Sequence, residues 1–564
     1  MKNHFLLSFA GILLLITVQL SAQVAVTTDG STPDNSAMLD VKSTSRGMLI
    51  PRLTLTQRNA IANPAAGLIL FQTNNTPGFY FNAGTSFNPV WMMVGNSSGW
   101  GITGNGGTTA GINFLGTTDN APVTFKVNNQ LAGRIEASNV ALGVNAMYSN
   151  TAGSFNIAFG SGALYSNSVR NNLVAIGDSA LYSNTWGALN TAVGSKAMFS
   201  NTEGWYNTAT GYHALMSNTW GSANTAFGES ALLLNTTGIH NTATGTSALR
   251  GNTTGNENTG AGVHALYSNT VGAFNTATGS YALAANDNGY WNTASGFKAM
   301  ELSVSGDRNT ANGAEALHNN STGYQNTAVG FDAMYNNTAG YANTAYGTEA
   351  LMGNLTGYGN SAHGWEALFS NLTGNSNTAC GYKALYTNSA GSKNIAIGAF
   401  AGYYETGSNK LYIDNLSRGS ASNAMSLGLI YGEFNSDPAF QKLIINANVG
   451  IGTVNPTYKL AVNGSIRAKE IVVNTGWSDF VFDEGYNLMS LHKLEKYILN
   501  NKHLPDIPDA AEVDKNGVSL GEMDSKLLQK IEELSLYVIE LNKKVEKLQS
   551  ENQSMKKQIY KVAK

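Results

Sequence analysis

Cysteine, proline and charged residues are scarce in this chain, and each shortage excludes a class of protein. Cys380 is the single cysteine among 564 residues, so no intramolecular disulfide can staple the fold. The 10 prolines and 12% charged residues argue against a disordered, self-repelling polymer. The formal net charge of −3 provides no basic surface for a polyanion, and we therefore expect no nucleic-acid partner.

Long apolar runs are also missing, except at the N-terminus. Residues 5–18 form an apolar run that follows Lys2 and precedes a small-residue stretch at 20–22. This order is typical of a secretory signal peptide, and we predict cleavage before Gln23. We expect an exported chain that is extracellular or lies on the outer cell surface, with no transmembrane segment after cleavage.

The residues of common catalytic and metal sites show no useful arrangement in the sequence. The eight histidines have none of the spacings of a metal site, and the carboxylates are scattered through the repeats without pairing. We therefore expect no enzymatic activity, no metal and no cofactor.

Glycine is abundant, and much of it recurs in a fixed register. Sixteen glycines follow one another at intervals of 17 residues without a slip, which is the signature of a repeat architecture. They are Gly143, Gly160, Gly177, Gly194, Gly211, Gly228, Gly245, Gly262, Gly279, Gly296, Gly313, Gly330, Gly347, Gly364, Gly381 and Gly398.

The repeat reads N-T-A-x-G-x-x-A-L-x-x-N-T-x-G-x-x, and this composition favours a β-solenoid over a helical repeat. Gly and Asn at this density oppose a helix but suit tight turns. We predict coils of two short strands and two turns, with Ala, Gly and Leu or Met inside and the Asn side chains in ladders. Sixteen coils at about 4.8 Å each would form a rod of roughly 75 Å. The residue before each repeat glycine should face outward, as at Phe159, Thr210, Asn312, His363 and Cys380.

The N-T-A-x-G-x-x-A-L run resembles the head repeats of trimeric autotransporter adhesins, the YadA-like β-roll, over nearly half of the chain. The 17-residue period, with its second N-T-x-G turn, is longer than the usual head repeat. The resemblance implies three chains packed side by side and a role in adhesion.

The segments around the repeat complete a mainly β chain. Motifs at 37–41, 47–52 and 57–61 resemble the N-terminal segments of exported fibre-like proteins of Gram-negative bacteria, and 449–464 resembles a strand of phage tail fibres. Ser478-Asp479 matches the cleavage pair of endosialidase-type chaperones, but the basic residues that follow it there are missing, so we expect no self-cleavage.

The predicted order is a signal peptide at 1–22, a β-rich cap at 23–98, a Gly/Thr/Asn-rich lead-in at 99–138, the repeat at 139–402, a β neck at 403–475, a small α/β connector at 476–522 with a helix at 491–499, and a coiled coil at 523–564.

The C-terminal stretch predicts oligomerisation through a coiled coil. Apolar residues recur at 3-4 spacing over five heptads. Branched residues at a with Leu at d favour two strands, whereas the head resemblance implies a trimer, which we expect. The predicted interface residues are Leu527, Ile531, Leu534, Val538, Leu541, Val545, Leu548, Asn552, Met555 and Ile559.

Two ladders within the repeat are candidates for binding an extracellular protein or glycan. One is an unbroken row of threonines: Thr191, Thr208, Thr225, Thr242, Thr259, Thr276, Thr293, Thr310, Thr327 and Thr344. The other is aromatic: Tyr148, Tyr165, Tyr182, Phe199, Tyr267, Tyr335, Phe369, Tyr386 and Tyr403. Strand filling explains the threonines, and a subunit interface explains the aromatics, more simply than a ligand does.

The leading interpretation is a non-enzymatic surface fibre or adhesin; the alternatives are a receptor-binding tail-fibre-like component and an ice- or carbohydrate-binding solenoid.

Overall fold

The structure is mainly β, with a long β-solenoid, few helices and a helical C-terminal segment. This confirms the predicted fold class. The computed structural model describes residues 23–95, 104, 106, 108–109, 112–474 and 476–563. The predicted signal peptide at 1–22 lies outside the described residues.

The N-terminal segment forms two small sheets. Strands β1 (Val24–Thr27) and β2 (Leu39–Lys42) pair in parallel. A four-stranded sheet in the order β3-β4-β5-β6 follows and buries Leu70 and Tyr80. Its elements are β3 (Arg52–Leu53), α1 (Leu55–Asn59), β4 (Ile69–Gln72), β5 (Gly78–Asn82) and β6 (Trp91–Met93).

The solenoid is a stack of short parallel strands, one from each coil. Strands β9 to β25 pair in parallel, each with the next, so that equivalent repeat positions lie above one another. The strands of this region are β7 (Val123–Val127), β8 (Gln130–Ile135), β9 (Asn139–Leu142), β10 (Asn156–Phe159), β11 (Val174–Ile176), β12 (Thr191–Val193), β13 (Thr208–Thr210), β14 (Thr225–Phe227), β15 (Thr242–Thr244), β16 (Thr259–Ala261), β17 (Thr276–Thr278), β18 (Thr293–Ser295), β19 (Thr310–Asn312), β20 (Thr327–Val329), β21 (Thr344–Tyr346), β22 (Ser361–His363), β23 (Thr378–Cys380), β24 (Ile395–Ile397) and β25 (Lys410–Ile413).

Small residues fill the interior of the solenoid, as predicted. Ala209 at the centre of β13 and the pair Ala214 and Leu215 in the same coil are fully buried, and the other coils repeat this pattern. The residue before each repeat glycine faces outward: Cys380, for example, is exposed. A coil this narrow has room for Ala beside the backbone and for one Leu or Met per turn.

The expectation of two strands per coil is wrong, because each coil has one strand and a run of turns. On the second side, His213 and Leu215 adopt positive φ values of 58° and 52°, which break the extended conformation. The backbone still bonds between coils there, with Leu215 N donating to Ala231 O at 2.9 Å and Ser217 N to Leu233 O at 3.0 Å. The second side is therefore a hydrogen-bonded ladder of turns.

Antiparallel strands cover both ends of the stack. At the N-terminal end β7, β8 and β9 pair antiparallel. At the other end the parallel stacking continues beyond residue 402 to β25, which pairs antiparallel with β26 (Ile430–Glu433), and β26 with β27 (Lys442–Ile445). Helix α2 (Ala421–Leu427) packs beside β26.

Helices dominate the C-terminal segment. After the 3-10 turn Pro438–Phe440, strands β28 (Val449–Ile451) and β29 (Leu460–Val462) pair in parallel. The predicted helix at 491–499 is confirmed as α3 (Leu491–Asn501). The remaining elements are the 3-10 turn Asp479–Phe482, helix α4 (Ala510–Asn516) and helix α5 (Leu520–Val562). Helix α4 was not predicted from the sequence.

Candidate binding and assembly surfaces

Two buried asparagine rows hold the coils in register and so align every outward position. In the first row, Asn224 Nδ2 donates to Asn207 Oδ1 at 3.1 Å and to the Gly238 carbonyl at 2.8 Å. In the second, Asn235 Nδ2 donates to Asn218 Oδ1 at 2.7 Å. These amides satisfy one another without water, which confirms the predicted ladders. A one-residue slip of any coil would break both rows.

The predicted threonine ladder lies on the outer face of the strand stack. Thr191 pairs with Thr208, and the same register continues coil by coil to Thr344. Each side chain is exposed or half-buried. The backbone N–H of Thr242 donates to the Asn258 carbonyl of the next coil at 2.8 Å, so the residue also contributes to the hydrogen bonding between coils. The structure thus forms one continuous row of threonines facing outward.

A second threonine row, which was not predicted from the sequence, forms hydrogen bonds between the coils. The hydroxyl of Thr219 donates to the Thr236 carbonyl at 3.0 Å, and that of Thr236 to the Thr253 carbonyl at 3.0 Å. The signal was present in the Thr of the second N-T-x-G turn. Because these hydroxyls bond to the next coil, this row is structural.

The predicted aromatic ladder is stacked in its N-terminal and C-terminal parts. The rings of Tyr148, Tyr165, Tyr182 and Phe199 lie 5.0, 4.8 and 5.1 Å apart, with planes within 11° of parallel. Between these parts the column is interrupted, for example by Leu233. The C-terminal part comprises Phe369, Tyr386 and Tyr403, with centroid separations of 5.0 and 4.9 Å.

Another stacked column was not predicted, because no single residue type fills its position along the repeat. Tyr324, Tyr341 and Tyr358 stack at 4.9 and 4.8 Å on the turn that follows the second asparagine row. Near the other end of the same edge, the Arg170 guanidinium lies 4.4 Å from the ring centroid of Trp186. Aromatic surface is therefore distributed over more than one edge of the rod.

Carboxylates that look scattered in the sequence are brought together by the coil period, which corrects the expectation that they do not pair. Glu315, Asp332, Glu349 and Glu366 occupy the same position of four successive coils. Partial burial, and then the charges of Glu315 and Glu349, raise the pKa of Asp332. Its Oδ1 is buried and has no hydrogen-bond partner among the described residues. At the end of the column, Lys383 Nζ lies 3.4 Å from Glu366 Oε2.

The predicted oligomerisation residues lie on helix α5 and are exposed. The apolar residues from Leu527 to Ile559 at these positions keep 46–68% of their surface exposed, and Asn552 is exposed among them. Only Gly521 and Tyr537 of this 43-residue helix are buried, although helices in proteins are stabilised mainly by packing of an apolar face. The stripe is therefore a candidate assembly surface.

Ser478 is placed as a structural residue. It is buried, and its hydroxyl lies 2.7 Å from the Ser525 carbonyl and 2.5 Å from the Ser525 hydroxyl. Neither partner is a general base.

In the part of the chain that the structure describes, no group of three or more His, Cys, Asp or Glu is arranged to hold a metal ion. The described helices include none with the length and apolar character to cross a membrane.

Comparison with known protein families gives a match in the N-terminal segment. Residues 26–108 match the family model of a phage tail like trimerisation region. No curated protein and no solved structure matches the chain. Together with the solenoid, the match supports a fibrous, tail-fibre-like protein that self-associates as a trimer and has a structural rather than catalytic role.

Proposed function

We propose that the protein is an exported, trimeric surface fibre of a Gram-negative bacterium that acts as an adhesin. The observation that carries this proposal is the constant coil register, which repeats the same outward positions about every 4.8 Å. Such an array presents many weak contacts at once, and three rods on one stalk multiply them. Clustering then raises avidity without any new contact.

Three features support the roles that we propose for individual segments of this fibre. The signal-peptide pattern at 1–22 accounts for export, the match at 26–108 for trimerisation near the N-terminus, and the exposed stripe of α5 for a C-terminal coiled coil. The side-by-side packing of three heads, as in YadA-like adhesins, belongs to the same proposal. The stacked tyrosines would then lie between the chains.

The test compares residues 23–564 with the same chain truncated after residue 522. Light scattering should give three chains for the longer protein. Binding to a panel of extracellular matrix proteins and glycans should weaken by roughly a hundredfold or more if truncation releases single chains. Equal binding by trimer and monomer would contradict a multivalent mechanism.

A second candidate is a receptor-binding fibre within a larger tail-like assembly, and the match at 26–108 favours it. Such a fibre needs a docking partner for one end. Co-purification of stoichiometric sheath or baseplate-type proteins with the native chain would support it. Recovery of the chain alone from the cell surface would favour the free adhesin.

A third candidate is an ice- or carbohydrate-binding solenoid that uses the exposed threonine row. The favouring observation is the unbroken outward register from Thr191 to Thr344. Thr242→Leu and Thr276→Leu should then abolish thermal hysteresis or glycan-array binding. No activity of the unaltered protein in either assay would eliminate this candidate.

A further inference from the structure

Among the described residues, helix α5 contacts its own chain on the face opposite the a/d stripe and along the g flank. Tyr486 donates its hydroxyl to Glu533 at 2.5 Å, Lys530 pairs with Asp506 at 3.1 Å, and the Tyr537 side chain is buried. In the heptad that places Ile531 at a, these helix residues occupy positions c and g. The connector therefore covers one side of α5 and leaves the a/d stripe open.

The connector also extends the stripe into a groove. Beside the stripe lies a 350 Å³ groove whose polar lining is minor. Its apolar walls come from the connector on one side and from positions a and d on the other: Leu494, Leu504 and Pro505 face Leu527, Ile531 and Leu534. A chain that packs on the stripe would therefore also contact the connector.

We propose that this groove seats helix α5 of a second copy of the chain, so that the connector and the helix together form the oligomer interface. The proposal rests on the trimeric fibre proposed above, and deepens it by naming the contact surface. The groove is continuous with the a/d stripe, and the match at 26–108 supports several copies along one fibre. In a parallel coiled coil, position g of one helix faces position e of its neighbour.

The residues at position e fit an apolar wall better than a charged partner. They are uncharged over four heptads, although e and g commonly carry ion pairs. These residues are Leu528, Ser535, Asn542 and Gln549. Since the chain's own connector occupies the g flank, the neighbour's e row meets Leu504 and Pro505 there. Neutral side chains can be buried at that contact without the cost of desolvating a charge.

Disulfide cross-linking of the full chain tests this contact. In a Cys380→Ser background, Leu504→Cys and Ser535→Cys would be combined and oxidised. We expect a covalent band of three chains on a denaturing gel, because each wall cysteine reaches the e-position cysteine of a neighbour. The matched control replaces Leu504→Cys by Leu499→Cys, an exposed α3 residue outside the groove, and should give single chains.

A second variant separates this proposal from the fibre itself. Leu504→Asp should favour dissociation of the oligomer by tenfold or more, whereas Leu499→Asp should not. An oligomer by light scattering with neither cross-link nor sensitivity to Leu504→Asp would overturn the groove contact alone. A monomeric full chain would overturn both the groove contact and the trimeric fibre.

Discussion

Ser303 occupies the place of an asparagine in the second buried asparagine row, one coil after Asn286, and no hydrogen bond joins the two side chains. In the flanking coils, Asn286 Nδ2 donates to Asn269 Oδ1 and Asn337 Nδ2 to Asn320 Oδ1, both at 2.7 Å. The Ser303 hydroxyl is too short to repeat this contact. Among the described residues, Ser303 Oγ and Asn286 Oδ1 therefore have no hydrogen-bond partner, although both residues are fully buried.

Restoring asparagine at this position should stabilise the solenoid. Ser303→Asn would donate to Asn286 Oδ1 and to the Gly306 carbonyl, as its counterparts do in other coils. Satisfying buried polar groups contributes about 1–3 kcal/mol, so the thermal unfolding midpoint should rise. Circular dichroism on the full chain measures it. Ser305→Asn on the adjacent exposed turn is the control, and an equal effect of both changes would contradict the explanation.

In the column of carboxylates formed by Glu315, Asp332, Glu349 and Glu366, removing one charge should raise the stability of the fold in a pH-dependent way. The pKa of Asp332 is raised by burial and by the flanking Glu315 and Glu349, so ionisation costs folding free energy as pH rises through it. Asp332→Asn should raise the unfolding midpoint near neutral pH. Below the ordinary pKa of 3.8 the gain should vanish, because the carboxyl is then protonated in both states.

Thermal melts at the two pH values check this prediction. The control is Asp178→Asn, which removes an exposed carboxylate on a neighbouring outward column. If Asp332→Asn gave the same gain in acid as near neutrality, the cause would lie in packing and the charge argument would fail.

The strand pair that ends the solenoid should loosen in acid. Glu433 accepts from Tyr431 at 2.6 Å and pairs with Lys410 at 2.9 Å and Lys442 at 3.1 Å. The hydrogen bonds from Tyr431, Lys410 and Lys442 lower the pKa of Glu433 from 4.5 to about 2. A lowered pKa means that its contribution is complete above 4.5 and is lost as pH falls towards about 2.

Hydrogen exchange in β26 should show this loss. Protection of the Ile430–Glu433 amides should fall over that window in the unaltered chain, with no such step in Glu433→Gln. Glu470→Gln, at an exposed position, should behave like the unaltered chain. Identical acid profiles for all three would mean that Glu433 does not support the strand pair.

Much of the architecture follows from spacing, because a 17-residue period forces equivalent residues to stack. The inward Ala and Leu, the asparagine rows and the outward threonines were all predictable on that basis. The second side of the coil was not. Leu215 and its counterparts adopt a left-handed conformation that local preference opposes by about 1–2 kcal/mol, and only tertiary packing selects it.

The candidate surfaces were predictable only where one residue type fills a column. The threonine row was visible in the sequence. Glu315 and Asp332 differ in residue type and are separated in the sequence by a whole repeat of other residues, so their column was not. The connector's position beside Tyr537 depends on contacts between segments 47 and 48 residues apart, such as Tyr486 with Glu533 and Met489 with Tyr537. Sequence periodicity carries no information about such contacts.

Two glycines at different positions of the repeat should respond differently to substitution. At Gly272 an added Cβ would lie 2.4 Å from Asn269 Oδ1 and 2.6 Å from the Gly289 carbonyl, both parts of the buried ladder. At Gly359, with φ of +64°, the nearest atom would be 3.6 Å away. The same repeat position holds Asn172 at φ 57°, which shows that a side chain is accepted there.

Gly272→Ala should therefore destabilise the solenoid by roughly 3 kcal/mol, because the asparagine row must shift to admit the methyl group. Gly359→Asn should change stability by no more than about 0.5 kcal/mol. Thermal unfolding of both variants beside the unaltered chain measures the difference. Because the coils are nearest neighbours in a one-dimensional stack, the loss at Gly272 should also increase hydrogen exchange in the coils on either side before distant ones. A uniform increase along the rod would show that the coils unfold as one unit.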